Sequence, residues 1–90
     1  MIIHKNITVY GMVQGVGFRF SARNAARSFA VKGFVKNLAD GSVYIEAEGP
    51  ESNVNQYIDW CWHGPSHSAV HNLEVTDGEI KFFDAFDIRF

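Results

Sequence analysis

From Ile7 to Val13 the chain alternates, with Ile7, Val9, Gly11 and Val13 on one side and Thr8, Tyr10 and Met12 on the other. A period of two sends successive side chains to opposite faces of an extended backbone, so this run predicts a half-buried strand. The period then changes. Ala22, Ala25, Ala26, Phe29 and Ala30 recur at helical spacing, with Arg23, Asn24, Arg27 and Ser28 on the other face and Ser21 placed to cap the N-terminus. Gly33 breaks that pattern. Residues 33–49 read as two strands joined at Ala39-Asp40-Gly41-Ser42, where Asp-Gly supplies the turn chemistry. Gly49-Pro50 opens a second helix with Val54, Tyr57, Ile58 and Cys61 as its apolar stripe, and Gly64-Pro65 closes it. Ala69 to Thr76 predicts a further strand, Asp77-Gly78 a turn, and Phe86 to Phe90 alternates strictly to the end.

The order is βαββαββ. It predicts an α+β, ferredoxin-like split βαβ sandwich: an antiparallel sheet with two helices on one face, plus a short extra C-terminal strand whose position the pattern leaves open. In that arrangement the first two strands run parallel with the third between them, so their C-terminal ends lie about 10 Å apart at one end of the sheet. A glycine-containing loop follows the first strand, and Asn37 lies near the end of the second.

Composition narrows the class. Ninety residues make one domain, 1–90, and 47% hydrophobic with 20% charged residues is an ordinary globular balance. Cys61 is the sole cysteine, which precludes an intramolecular disulfide and points to the cytoplasm. The first residues lack the long apolar stretch of a signal peptide or membrane span. The net charge of -2 conceals an asymmetry: residues 1–45 carry six Lys/Arg against Asp40 alone, and residues 46–90 carry two against nine acids. An anionic partner would meet the first half, unless these are only solvated charges spread by the fold.

The candidate chemistry starts at Val13-Gln14-Gly15-Val16-Gly17-Phe18-Arg19. Two glycines allow backbone angles closed to other residues, so successive amides can face one anion, with the positive end of the following helix and a guanidinium beside them. A tight strand-to-helix turn with an exposed arginine accounts for the same residues. The loop lacks the third glycine of the dinucleotide pattern and the spacing of the P-loop. Asn37 alone reads more readily as a turn residue near a hairpin.

Taken together, Gly11 to Arg19, Lys32-Gly33-Phe34-Val35-Lys36-Asn37, Asp40-Gly41-Ser42-Val43, Gly64-Pro65 and Phe86 to Phe90 resemble the acylphosphatases, in order and over nearly the whole chain. The resemblance implies hydrolysis of the carboxyl-phosphate bond of small acyl phosphates to a carboxylate and inorganic phosphate, which is also a competitive ligand, without cofactor, metal or covalent intermediate. It implies that Gln14, Gly15, Val16, Gly17, Phe18 and Arg19 bind the phosphoryl group and that Arg19 and Asn37 are catalytic, Asn37 orienting the attacking water. Ala30 departs from the family's usual glycine, Phe34 from its common tryptophan, and Trp60-Cys61-Trp62-His63 is an unusual helix end.

The competing class is a non-catalytic phosphate- or RNA-binding module on the same fold. Lys32-Gly33-Phe34 imitates the start of an RNA-recognition signature, but Val35, Lys36 and Asn37 do not continue it and the net charge is acidic, so no nucleic-acid partner is expected. No membrane partner is expected either, and a polar surface pattern suggests a monomer. His63, His67 and His71 are spaced by four but separated by Gly64-Pro65, so they read as surface residues rather than metal ligands. Cys61 on the apolar stripe reads as a buried, inert thiol. Trp60 and Trp62 cannot both face the core from one helix, so one of them belongs at the helix end or surface.

Overall fold

The period-two runs join one five-stranded sheet. The computed structural model describes all 90 residues, as β1 (Ile2–Met12), α1 (Phe18–Ser28), β2 (Lys32–Asn37), β3 (Val43–Pro50), α2 (Glu51–His63), β4 (Ala69–Asp77) and β5 (Phe86–Ile88). The strand order is β4-β1-β3-β2-β5. β1 and β2 both pair antiparallel with β3, so they run in the same direction, as expected. Val43 of β3 is the partner of Val9 on one side and of Asn37 on the other, which places the ends of β1 and β2 at one level.

Alternation decides the two faces. Ile7, Val9, Val35, Val43, Ile45 and Ala47 point to one side, where they meet Ala22, Ala25 and Ala26 of α1 and Val54, Tyr57 and Cys61 of α2 in a single buried cluster. α1 packs over β2 and β5, and α2 over β4, β1 and β3. The Tyr57 hydroxyl donates to the Ala22 carbonyl at 3.0 Å and ties the helices together. Burial pushes the Cys61 thiol well above its ordinary range, so it stays protonated and unreactive. Trp60 takes the inner position, stacked on Tyr57 at 5.9 Å and 5.8 Å from Phe18, while Trp62 is exposed.

One expectation changes. Ser21 does not cap α1: the helix starts at Phe18, and Gly17 is its N-cap at φ 75, ψ 20. The reason is that Gly17 adopts the left-handed conformation that turns the chain directly into the helix, while Phe18, 1% exposed, anchors the first turn against Trp60. The last strand, whose position the pattern leaves open, pairs parallel with β2 at the edge opposite β4, Gly33 with Phe86 and Val35 with Ile88.

Residues 79–85 therefore cross the face of the sheet that carries no helices. There His4 lies buried between two carboxylates, its Nδ1 2.8 Å from Glu48 Oε1 and its Nε2 2.8 Å from Glu46 Oε1. Glu48 accepts the N–H groups of Lys81 (2.7 Å) and Phe83 (3.0 Å), and Glu46 accepts Lys81 Nζ and the Tyr44 hydroxyl, each at 2.8 Å. Both carboxyls titrate below their ordinary range: burial opposes their charge, but the hydrogen bonds from His4, Lys81, Phe83 and Tyr44 outweigh it. No helix is long and apolar enough to cross a membrane.

Candidate active site

The loop between β1 and α1 is set by backbone conformation. Gly15 and Gly17 stand at φ 74 and φ 75, and a Cβ on either would meet nothing within 4 Å. Glycine is thus needed there for the left-handed angle rather than for space. The start of α1 has no side-chain cap and no acidic residue in its first turn, so its amide donors and positive dipole end face no carboxylate of their own. Phe18 is buried and Val16 packs against the core, so their side chains hold the loop and only their backbones face outward.

Gln14 has a role that the sequence pattern does not reveal. Its Nε2 donates to the carbonyls of Leu38 and Ser42, at 2.8 Å each, binding the loop to the turn that follows β2. The turn is itself closed by Leu38 N–H to Ser42 O at 2.9 Å and by Asp40, whose Oδ1 accepts from the Ser42 amide at 2.9 Å. Hydrogen bonds from Ser42 hold the Asp40 carboxyl below its ordinary range. Asn37, immediately before Leu38, is thereby brought to the glycine loop. Its Oδ1 is buried and has no hydrogen-bond partner in the protein.

Arg19 approaches from the first turn of α1. One of its Nη donors reaches the Arg89 carbonyl at 3.3 Å, and its guanidinium lies over the Phe90 ring at 4.8 Å. It has no carboxylate partner. One end of the sheet therefore presents a left-handed glycine loop, an uncapped helix start, a guanidinium with no counter-ion and an amide oxygen with no donor. Such a set can hold a small tetrahedral anion and, beside it, a hydrogen-bond donor such as water.

The acylphosphatase family model matches residues 5–88. The chain belongs to the acylphosphatase family. It is 46% identical over 91 residues to an acylphosphatase of Geotalea uraniireducens, covering all of both chains. It is 40% identical over 89 residues to one of Archaeoglobus fulgidus, covering 99% of this chain and 100% of that one. The crystal structure of an acylphosphatase from Bacillus subtilis superposes with a TM-score of 0.95 at 35% identity, covering 100% of each chain. Membership makes the chain an enzyme of the acylphosphatase class.

Of the residues expected to act, the fold brings the 14–19 loop, Arg19 and Asn37 to one end of the sheet. The segment Arg89-Phe90, whose Phe90 ring stacks on Arg19, is read in the sequence as the end of an alternating strand and as part of the resemblance, with no role at the site. Its partner is 70 positions away, and no local pattern carries such a distance. The histidines are apart from this site: His63 Nδ1 lies 2.9 Å from the Asp59 carbonyl, and His67 and His71 are exposed. No group of three or more His, Cys, Asp or Glu side chains is gathered where it could hold a metal ion.

Proposed function

We propose that this enzyme hydrolyses the carboxyl-phosphate bond of small acyl phosphates without a metal, with Arg19 and the amides of the 14–19 loop binding the phosphoryl group and Asn37 orienting the attacking water. The observation that carries the reading is the unpartnered, buried Oδ1 of Asn37 beside a loop and an arginine that lack any anion of the protein's own. A buried acceptor without a donor costs about 1–3 kcal/mol, which a bound water offsets.

The reaction asks for little more. The departing carboxylate is the conjugate base of an acid of pKa about 4, so it leaves at neutral pH without protonation. Water attacks phosphorus as the bond from phosphorus to the carboxyl oxygen breaks, the pair of electrons stays on the carboxylate, and the water proton passes to phosphate or solvent. A loose transition state demands little bond formation to water, so positioning by Asn37 replaces a strong base. Arg19 and the loop amides stabilise the equatorial oxygens in the place that a divalent ion fills elsewhere.

The test is turnover of acetyl phosphate in the presence of a chelator, with inorganic phosphate as competitor. Arg19→Ala is expected to lower turnover by about 10² to 10⁴ and to abolish phosphate binding, since each charge-assisted bond contributes about 1.5–3 kcal/mol. Asn37→Ala is expected to bind phosphate normally and lose turnover. Phosphate binding without turnover in the wild type would instead favour a non-catalytic phosphate-binding module, and activity surviving both substitutions would remove the assignment of these residues.

A further inference from the structure

Of the four arginines of the chain, Arg19, Arg23 and Arg27 lie on α1, and Arg89, just after β5, turns its guanidinium onto Phe34 on the helix-free face of the sheet. Arg19, Arg23 and Arg27 recur every four residues and so descend one face of α1, about 6 Å of rise apart. Arg23 and Arg27 line a groove of about 610 Å³ whose other wall is the segment from Phe86 to Phe90. None of the four is in an ion pair; the salt bridges of the molecule join His4, Lys5 and Lys81 to Glu46, Glu48 and Asp77. Phenylalanine rings hold three of them instead. Arg23 lies over Phe20 at 4.8 Å, Arg19 over Phe90 at 4.8 Å and Arg89 over Phe34 at 3.8 Å. A ring face orients a guanidinium without cancelling its charge, so the groove stays positive, with Asp87 the single acid on its lining. The Nε–H of Arg23 is also buried without an acceptor.

We propose that this groove is an acyl-group subsite in which Arg23, assisted by Arg27, binds a carboxylate at the far end of the substrate's acyl chain. The inference rests on the phosphoryl group being held at Arg19. One helical turn, about 6 Å, separates Arg19 from Arg23, a span that suits the short chain of a dicarboxylic acid phosphorylated on one carboxyl. The planar carboxylate matches one edge of a guanidinium already fixed by stacking. Acyl phosphates made from dicarboxylic acids are therefore preferred over those with a neutral acyl group.

Calorimetric titration with 5-phosphonopentanoate and pentylphosphonate tests this, because the two stable probes match the length of succinyl phosphate and differ in the terminal carboxylate. The carboxylate probe is expected to bind the wild type about tenfold tighter or more. That advantage should vanish in Arg23→Gln, narrow in Arg27→Gln and persist in Lys32→Gln, which lies at the far end of β2. Equal binding of the two probes by the wild type overturns the proposal whatever the variants do, and so does an advantage that survives Arg23→Gln. In turnover, Arg23→Gln should raise KM for succinyl phosphate and leave acetyl phosphate unchanged; an equal rise for both overturns the subsite. A wild type that hydrolyses neither substrate refutes the reaction, while the probe titration judges the groove separately.

Discussion

Ala30 stands at φ 56, a left-handed conformation that costs a residue with a Cβ about 1 kcal/mol. It occupies the turn that ends α1, where its own N–H reaches Arg27 O at 3.2 Å and the Val31 N–H reaches Ala26 O at 2.8 Å. That pair of bonds closes the helix and forces the angle, which is why glycine suits the position. Ala30→Gly should stabilise the protein by somewhat under about 1 kcal/mol, after the greater freedom of glycine in the unfolded chain is discounted, and thermal melting should show a Tm higher by about 2–5 °C. Residue identity alone made several such features legible. The left-handed turns at Gly15 and Gly17 follow from the residue type, whereas Arg19 and Asn37 stand out only through the motifs that surround them. The start of α1 does neither, because Ser21 is a good cap in isolation and only the burial of Phe18 moves the helix back to it.

Two elements are joined at the site by one side chain. Gln14 carries the β1–α1 loop against the turn between β2 and β3, through two bonds each worth about 0.5–1.5 kcal/mol. Gln14→Glu keeps the shape but turns the only donor into an acceptor facing two carbonyls, and it adds a negative charge beside the anion loop. It should therefore weaken phosphate binding more than Gln14→Leu does, by about tenfold or more, read by phosphate titration. The opposite order would mean that Gln14 acts by packing alone. At this scale the sequence pattern gave the elements and their order, since hydrophobic period and turn chemistry are local. It did not give the edge to which β5 belongs: Asp77-Gly78 has the chemistry of a hairpin, yet the bonds from Glu48 to residues 81 and 83 draw the chain across the sheet.

The whole molecule depends on that crossing, and the carboxylates beneath it set its acid response. Glu46 and Glu48 titrate lower folded than unfolded, so the unfolded chain takes up protons first as pH falls. Their contribution is complete above the ordinary carboxylate range and is lost as pH drops through it toward their folded values. Denaturant melts should show little change from pH 7 to about 5 and a decline below about 4.5. Glu48→Gln should be less stable at pH 7 and lose less on acidification; an unchanged acid slope would place the sensitivity elsewhere. The crossing also orders events in time. Lys32 meets the Asp84 carbonyl 52 positions further on, and contacts so distant in the chain form late. A refolding chain can assemble β1, β3 and the glycine loop while Arg19 still swings free, without Arg89 and Phe90 to hold it. Anion affinity should therefore return with the slowest refolding phase, the one in which β5 docks and Phe86 closes the core against Tyr57.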